Sequence, residues 1–282
     1  QIMYVPSERN FIAYVKSPKE LKLSSEALKE FLTEFDNSKE IVKNLELPIN
    51  TINTINKVIL DYDKLNDTLN LKGKDYKIKL TEASSGFQSF VPIYMVSNYL
   101  VNTIKKDSGI KVSMSAEEIN RFRKEIEQLY KDKHLSDEQK RIAISVLPQK
   151  FNKTSFVNIV EEPEQNLFPT SQRDMLYSLL KINNEITANK LIITTHSPYL
   201  VNYVSVSVEA GKLKQGVIAE KGGQLSEIVP INADDLAIYQ LKEEDGTIEL
   251  LDSYEGIPSD ENFLNNEIGR TNELFADLLD LQ

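Results

Sequence analysis

Cysteine is absent from this chain of 282 residues, and the only histidines are His134 and His196. Without cysteine, neither a disulfide framework nor a thiolate metal site can form, and two histidines argue against a multi-histidine zinc site. No apolar run approaches the roughly 20 residues that a membrane-spanning helix requires, and the first residues lack the pattern of a signal peptide. We therefore expect a cytoplasmic protein with no membrane partner.

Positive charge is the minority charge, because 33 Lys and Arg stand against 43 Asp and Glu for a net charge of −10. This balance argues against a protein whose main surface grips a nucleic-acid backbone, although a local basic stripe is compatible with it. Hydrophobic residues make up 40% and charged residues 27% of the chain, as in ordinary globular proteins. At this length the chain holds one large domain or two modest ones.

The clearest structural pattern is an apolar strand, a helix and a second apolar strand. FVNIV at 156–160 is nearly all apolar, residues 170–186 carry leucines at helical spacing, and LIITT at 191–195 is again apolar. A strand, a crossover helix and a strand form a βαβ unit. We therefore expect the two strands to be parallel and buried on both faces.

The N-terminal part of the chain combines a short strand with helical patterns. IMYV at 2–5 indicates a buried strand, and the apolar spacing over 24–45 predicts a helix. A second helical pattern follows Pro48 and includes Ile59 and Tyr62. We expect these two helices to pack together.

An alternating segment, YKIKL at 76–80, predicts a half-buried strand. Tyr76, Ile78 and Leu80 are expected to face the interior, while the intervening lysines face solvent. A Ser-Ser-Gly turn follows directly, and the apolar residues of 90–100 then predict a helix. The strand therefore passes into a helix through a short turn rich in hydroxyl groups.

Two charged helices are predicted between residues 113 and 147. Each opens with a capping box, Ser115 with Glu118 in the first helix and Ser136 with Gln139 in the second. Because their surfaces are heavily charged, we expect them to form a helical arm or layer.

The C-terminal part is predicted to be rich in β-structure. AIYQL at 237–241 and TIELL at 247–251 are joined by Glu-Glu-Asp-Gly, which is typical of a β-hairpin. The sequence that follows ends in an acidic tail.

Three carboxylates follow the first core strand directly, at Glu161, Glu162 and Glu164. In an open parallel sheet, ligands bind outside the carboxyl ends of the strands, where such side chains leave the core without being buried unpaired. Glu161 can hold Mg²⁺ through its oxygens, and Glu162 can orient or polarise an attacking water. His196 follows the neighbouring strand and is placed to contact a phosphate. A solvated acidic loop is the simpler interpretation of one Glu, but EEPE together with ITTHSP favours a functional site.

These segments resemble the motifs of one class of ATPases. FVNIVEEPEQNLFP at 156–169 resembles the Walker B segment, and LIITTHSPYLV at 191–201 the switch-histidine strand, of ABC-class ATPase heads, particularly the bacterial OLD-like and SMC-like AAA ATPases. SSGFQ at 84–88 resembles the ABC signature loop, and YVPSERN at 4–10 is similar to a segment of the OLD-like ATPases. The order and contexts of these motifs agree with the family over most of residues 4–200, and the C-terminal hairpin with its acidic tail also resembles it. The resemblance implies an α/β fold. That fold has an ABC-ATPase-like, P-loop NTPase-type parallel sheet core, a helical region and a small C-terminal β hairpin.

The resemblance implies roles for the residues at the strand ends. Glu161 matches the Walker B acid that supports Mg²⁺, Glu162 matches the catalytic glutamate, and His196 matches the switch histidine. Many relatives have Asp at the first of these positions, but both residue types are oxygen ligands. Phe168 stands where relatives often have His, so any role of that histidine is absent here.

The resemblance also implies a site for ATP held by a second protomer. In this family the signature loop meets the γ-phosphate of the opposing protomer's ATP, and its matching residues here are Ser84, Ser85, Gly86 and Gln88. A glycine permits close backbone approach, and serine hydroxyls at a helix N-terminus suit an anion. Taken alone, SSGFQ is a helix cap and turn. The family context predicts an ATP-dependent homodimer of the complete protein.

The Walker A motif of the family is missing from the sequence. No Gly-x-x-x-x-Gly-Lys followed by Ser or Thr occurs, and LKGKDYK at 71–77 contains one glycine only. A chain without that loop lacks the main phosphate-binding element of these ATPases. Together with the strand at residues 2–5, this absence predicts the C-terminal part of a larger ATPase whose N-terminal Walker A lobe lies outside this sequence.

The predicted organisation is a single ATPase-head portion over 1–282. It comprises the signature loop with a helical region at 20–148, the Walker B and switch-His core at 149–205 and a β-rich extension at 206–282. The expected function is ATP binding and hydrolysis coupled to conformational change, in DNA maintenance or anti-phage defence, beside a nuclease or other effector. The sequence leaves open whether nucleic acid is a further partner. A catalytically incompetent ATPase-like scaffold or interaction module is the alternative. SYEGIPSDE at 253–261 shares Glu-Gly and Asp with Toprim nucleases, but its spacing favours a loop.

Overall fold

The structure, a computed structural model, describes residues 1–14, 23–49, 58–107, 116–132, 135–147, 153–213 and 217–281. Within these ranges the fold is mixed α/β. The strands are β1 (Ile2–Val5), β2 (Leu45–Glu46), β3 (Ile59–Asp63), β4 (Thr68–Lys72), β5 (Lys77–Lys79), β6 (Val157–Glu161), β7 (Lys190–Thr194), β8 (Tyr239–Leu241), β9 (Ile248–Leu250), β10 (Ser253–Tyr254) and β11 (Ile257–Pro258). The helices are α1 (Glu26–Ser38), α2 (Ser85–Asp107), α3 (Ala116–Lys131), α4 (Asp137–Val146), α5 (Pro169–Asn184), α6 (Pro198–Gly211), α7 (Val217–Lys221) and α8 (Phe263–Asp280).

A small parallel sheet confirms the predicted βαβ unit. Its strand order is β1-β6-β7 within the described ranges, and α5 connects β6 to β7. β6 and β7 are parallel, with Glu161 opposite Thr194. β1 lies parallel along the other side of β6, with Ile2 opposite Val157. The carboxyl ends of all three strands therefore meet at one edge of the sheet.

One face of this sheet packs on helices, and the other is partly open. Met3, Val5 and Val160 are buried in a core shared with residues of α1, α2 and α5. On the opposite face, Ile2 is 63% exposed and Ile192 is 49% exposed. The prediction that both strands of the βαβ unit are buried on both faces is therefore wrong. Alternate side chains of β7 point away from the helices, so its burial alternates along the strand.

An antiparallel sheet of order β2-β3-β4-β5 replaces part of the predicted second helix. Residues 59–63 form β3, so the predicted helix is wrong at Ile59 and Tyr62, while residues 50–57 lie outside the described part of the chain. The spacing of Ile59 and Tyr62 fits one face of a helix. The same segment also alternates around the fully buried Leu60, and pairing with β4 selects the strand.

A polar turn between β3 and β4 fixes this hairpin and ties it to α1. The carboxylate of Asp63 accepts the backbone N–H groups of Leu65 at 3.0 Å and Asn66 at 3.2 Å. Asp67 then adopts a positive φ of 46°. Lys39, which follows α1 and is almost fully buried, donates to the carboxylate of Asp67 at 3.1 Å.

The segment 76–80 forms the predicted strand, but with one side chain misplaced. Ile78 of β5 is half-buried and Leu80 is buried, as expected. Tyr76 is 44% exposed, because its ring folds back over Gly73 in the turn before β5. The predicted apolar helix that follows is α2, and its residues Phe90, Val91, Met95 and Leu100 are buried in the main core.

The charged helices predicted between residues 113 and 147 are α3 and α4. At the start of α4, the Ser136 hydroxyl accepts the backbone N–H of Gln139 at 3.3 Å, and the Gln139 side chain accepts the N–H of Ser136 at 2.9 Å. This reciprocal pair confirms the second capping box. Ser115, the cap predicted for the first box, lies outside the described residues.

The C-terminal region contains the predicted hairpin and an unexpected helix. β8 and β9 pair antiparallel, with Tyr239 opposite Leu250. Residues 263–280, assigned to the β-rich extension, form α8 instead, with the Asn262 side chain accepting the N–H of Asn265 at the cap. Among the described residues, no helix combines the length and apolar character needed to cross a membrane.

Candidate functional site

The carboxyl ends of β6 and β7 bring three predicted residues together. Glu161 is the last residue of β6 and pairs with Thr194, and the backbone N–H of Glu162 donates to the carbonyl of Thr194 at 2.9 Å. Nε2 of His196 lies 4.0 Å from Oε1 of Glu162. We call Glu161, Glu162 and His196 the strand-end cluster. The sequence predicted this grouping because the carboxyl ends of neighbouring parallel strands share one edge of a sheet.

The Glu161 carboxylate is held on both of its oxygens. The Tyr4 hydroxyl makes a short hydrogen bond to Oε1, and the backbone N–H of Ser7 donates to Oε2 at 3.1 Å. The hydrogen bond to Glu161, together with burial and the negative charge nearby, raises the pKa of Tyr4 to about 12. Each carboxylate oxygen keeps a further lone pair. Glu161 is thus oriented as an acceptor and retains the capacity to bind a cation.

The Glu162 side chain is less constrained than that of Glu161. It is 38% exposed, and the facing His196 side chain is 84% exposed. The backbone of Glu162 has a positive φ of 41°, which is uncommon for a residue with a side chain. This turn directs the carboxylate out of the strand towards solvent, where a water molecule can reach it.

Glu164, the third carboxylate of the acidic run, supports the turn after β7. Its Oε1 accepts the Thr195 hydroxyl at 2.8 Å and the backbone N–H of His196 at 2.7 Å. The Ser197 hydroxyl in turn donates to Oε1 of Gln172 at 2.5 Å, which joins the same turn to α5. No separate role was predicted for Glu164, although it stands in the EEPE run. Its contacts link the loops after β6 and β7 and thereby fix the backbone of His196.

Arg9 is the residue at this edge that the sequence left without a role. Its side chain is fully buried, and it donates to the carbonyl oxygens of Pro6 at 3.1 Å, Glu161 at 2.7 Å and Glu162 at 2.6 Å. Burial lowers the pKa of Arg9 to about 10, and the nearby carboxylates, Glu164 first, oppose that shift. The side chain is therefore positively charged at neutral pH. The only sequence signal for it was its position in YVPSERN.

The segment 84–88 forms the start of α2. Ser84 precedes the helix and Ser85 begins it, and both side chains are exposed. The carbonyl of Ser84 accepts the N–H of Gln88 at 3.1 Å, which closes the first helical turn. The exposed hydroxyls of Ser84 and Ser85 therefore lie at the N-terminal end of α2, where the first backbone N–H groups have no partner within the helix.

The buried side chain of Gln88 supports this segment from the protein interior. It is buried, and its amide nitrogen donates to the Tyr14 hydroxyl at 2.8 Å and to the carbonyls of Ala83 at 3.0 Å and Thr81 at 3.2 Å. These donors hold the turn that precedes α2. Of the four signature-loop residues, Gln88 is the one whose side chain faces inward.

Gly86 packs against the loop that follows β6. A Cβ atom placed on Gly86 would lie 3.0 Å from the carbonyl oxygen of Asn166 and 3.4 Å from the side chain of Leu167. The signature-like segment and the loop after the acidic run are therefore in direct contact. Among the described residues, no hydrogen bond joins residues 84–88 to the strand-end cluster.

The donor set fits Mg²⁺ only as part of a larger site. In the part of the chain that the structure describes, no group of three or more His, Cys, Asp or Glu side chains is arranged to hold a metal ion alone. Mg²⁺ is commonly held by one or two carboxylates together with waters and substrate phosphates. The anchored Glu161 matches that minimal contribution, while the sequence contains no glycine-rich phosphate loop.

Neither the models of known protein families nor the curated proteins include a match for this chain. The functional conclusion therefore depends on the strand-end cluster, on the contacts that fix it and on the position of the segment 84–88.

Proposed function

We propose that this chain is the signature and Walker B half of an ABC-type ATPase head with a P-loop NTPase fold. The observation that carries the proposal is the strand-end cluster, in which an anchored carboxylate, a freer carboxylate and an imidazole meet at the ends of two parallel strands. Ligands of open α/β sheets bind at this edge. The function is ATP binding and hydrolysis coupled to conformational change.

Each member of the cluster has a distinct chemical part in this proposal. Mg²⁺ bound with ATP supplies positive charge against the phosphate oxygens. Glu161 contributes one oriented carboxylate to the cation site, since Tyr4 and Ser7 hold it in place. Glu162 orients the attacking water and accepts its proton, because its carboxylate reaches solvent beside His196. His196 contacts the terminal phosphate of ATP and so senses whether that phosphate is bound.

The start of α2 supports a site for the nucleotide of a second protomer. α2 is 23 residues long, and its free N–H groups and the exposed hydroxyls of Ser84 and Ser85 favour an anion. Gly86 adds no side chain at this end of the helix. In this proposal the phosphate bound there belongs to the ATP of the partner protomer. ATP thus closes a homodimer.

The open side of the parallel sheet supports a further lobe that carries the Walker A loop. Ile2 and Ile192 are exposed on the face opposite α2 and α5, and β1 and β7 are the outer strands in the described ranges. Unpaired strand edges and apolar side chains on an open face favour packing of additional structure. A P-loop lobe placed there brings its phosphate-binding loop to the edge that holds Glu161.

The biological setting follows from the family resemblance alone. We place the ATPase in DNA maintenance or anti-phage defence in the cytoplasm, beside a nuclease or another effector. The second candidate is an ATPase-like scaffold without turnover, which the missing glycine-rich phosphate motif favours. Measurement of ATP hydrolysis by the assembled protein distinguishes the ATPase from the scaffold.

The deciding experiment is Glu162→Gln in the ATPase assembled from this chain and its Walker A lobe. The amide keeps the size of the side chain and removes the base, so phosphate release should fall about 100- to 10,000-fold while ATP remains bound. Steady-state phosphate release and nucleotide retention are measured together. Glu244→Gln, on the exposed loop between β8 and β9, is the matched control and should leave both unchanged.

One result would count against the role of Glu162, and another against the ATPase itself. Unchanged turnover in Glu162→Gln removes Glu162 from the catalytic role. An assembled protein that binds ATP without releasing phosphate, even with Glu162 intact, establishes the scaffold instead.

A further inference from the structure

The Arg9 side chain contacts backbone carbonyls at the end of β6, whereas the strand-end cluster is formed by side chains. One terminal guanidinium nitrogen donates to the carbonyl of Glu161 at 2.7 Å and to that of Pro6 at 3.1 Å, and the other donates to the carbonyl of Glu162 at 2.6 Å. The guanidinium group is planar and rigid, so its donors have a fixed separation and direction. The rigid guanidinium group of Arg9 therefore holds the two successive carbonyls of Glu161 and Glu162 at the end of β6.

Two successive backbone carbonyls can accept hydrogen bonds from the same guanidinium group only where the chain leaves the extended conformation. In a strand, successive residues and their peptide groups face opposite sides. Glu162 has a φ of 41°, and this turn brings its carbonyl to the same side as that of Glu161. The left-handed conformation is disfavoured about 5- to 30-fold for a residue with a Cβ atom. Some contact must therefore stabilise it here.

The peptide groups around Glu162 are held from two sides. Its N–H donates to Thr194 at 2.9 Å, and its carbonyl accepts from Arg9. We propose that Arg9 is a positioning residue, which stabilises the left-handed backbone of Glu162 and so aims the Glu162 carboxylate at the ligand edge of the sheet. The kinetic consequence rests on the proposed function, whereas the effect on the backbone does not.

Burial and charge make Arg9 suited to this role. Because the guanidinium is fully buried, water cannot replace its hydrogen bonds to the two carbonyls. Its positive charge also faces the carboxylates of Glu161, Glu162 and Glu164. Lysine at this position keeps the charge but has no planar fork. Arg9→Lys therefore separates the geometric contribution of Arg9 from its electrostatic contribution.

The first arm of the test is a double-mutant cycle on the chain itself. Glu162→Gly and Glu162→Ala are each made with Arg9 and with Arg9→Lys, and the four unfolding constants are measured in urea. Glycine accepts the left-handed conformation without strain, whereas alanine does not. The ratio of the glycine and alanine constants should change about 5- to 30-fold between the two backgrounds, because Arg9 enforces the left-handed conformation and lysine does not. The intrinsic difference between glycine and alanine cancels in the cycle.

The second arm measures kinetics in the ATPase assembled with its Walker A lobe. Arg9→Lys should lower kcat about 10- to 100-fold, the expected cost of a misplaced catalytic group, and leave the KM for ATP unchanged. Loss of folded protein also lowers the apparent kcat at unchanged KM, so kcat is calculated from the concentration of folded protein. Circular dichroism verifies the fold, and Arg9→Gln replaces the lysine variant in both arms if that variant does not fold.

The outcomes are distinguishable. An unchanged glycine-to-alanine ratio overturns the backbone role of Arg9, whatever the ATPase does. A changed ratio with unaltered kcat in an active ATPase overturns the positioning of Glu162 for catalysis. A changed ratio in the chain, together with an assembled protein that has no ATPase activity, supports the action of Arg9 on the backbone and contradicts the proposed function.

Discussion

Tyr4 offers a pH-dependent test of the anchored carboxylate. Its folded-state pKa is raised from 10.0 to about 12, chiefly by the hydrogen bond to Glu161. A raised pKa means that the contribution of Tyr4 to stability is fully present below pH 10 and is lost as pH rises through about 12. We expect Tyr4→Phe to remove part of the fall in the free energy of unfolding across this window.

The measurement is urea unfolding at a series of alkaline pH values, accompanied by tyrosinate absorbance of the folded protein. Tryptophan is absent from the chain, so tyrosine dominates the near-ultraviolet signal. Tyr62 also has a pKa raised to about 12, by burial and a hydrogen bond to Asp67, and retains its share of the pH dependence. Tyr254→Phe, at an exposed position, controls for the loss of one hydroxyl. Identical pH profiles for Tyr4→Phe and the parent would contradict the Tyr4–Glu161 hydrogen bond.

Single residues differed in how well the sequence could place them. Glu161, Glu162 and His196 follow apolar strands directly, so the geometry of a parallel sheet was enough to group them. Arg9 could not be placed in this way. Its partners include a backbone carbonyl 152 positions away in the chain, and any residue type supplies a carbonyl. A contact of that kind leaves no pattern of side chains to recognise.

At the level of elements, the hairpin of β3 and β4 shows how a periodic pattern misled. Ile59 and Tyr62 stand three positions apart, which suits a helix, but Leu60 between them is fully buried. A segment this short satisfies both periods, and the choice is made by pairing with β4 and by the turn at Asp63. The longer α2 and α5 were predicted correctly because several turns of consistent spacing leave less ambiguity.

Two glycines within helices give a matched test of how α2 packs. A Cβ atom added to Gly269 in α8 would have nothing within 4 Å, whereas one added to Gly86 would lie 3.0 Å from the Asn166 carbonyl. Gly269→Ala should stabilise the protein by about 0.5–1 kcal/mol, since alanine loses less backbone entropy than glycine in a helix. Gly86→Ala should give no such gain, because the loop after β6 must shift.

The free energy of unfolding of each variant is measured in urea and compared with that of the parent chain. Gly86 is near the first turn of α2, where helix propensity matters less, so the sign of its effect is more informative than its size. Equal stabilisation by both substitutions would mean that the segment 84–88 does not press on the loop at Asn166.

For the whole molecule, we expect weak ATP binding by this chain alone. It offers one anchored carboxylate to Mg²⁺ and one helix N-terminus to a phosphate, and its sequence has no glycine-rich cradle. Calorimetric titration with ATP and Mg²⁺ should show no saturable binding at micromolar nucleotide. Addition of a lobe that carries the Walker A loop should restore it. Tight one-to-one binding by the chain alone would contradict the division of the site between two lobes.

The arrangement of the whole chain was predictable only in part. The βαβ unit is local, since β6, α5 and β7 follow one another, and their order in space repeats their order in sequence. The place of β1 beside β6 depends on partners that are far apart in the chain, and the sequence indicated only that residues 2–5 are a strand. The open face of the sheet was missed because an apolar strand does not show how many layers cover it.

The pairing of β1 with β6 also sets an order of events during synthesis. The backbone nitrogen of Gln1, just before β1, donates to the carbonyl of Ser155 across 154 positions of sequence, so β1 leaves the ribosome long before its partner exists. At about 5–20 residues per second, that interval lasts roughly 8–30 s. During this time Met3 and Val5 lack β6 beside them and are open to chaperones. The hydrogen bonds from Arg9 to the carbonyls of Glu161 and Glu162 likewise form only after residue 162 has been made, so this edge of the sheet forms late in translation.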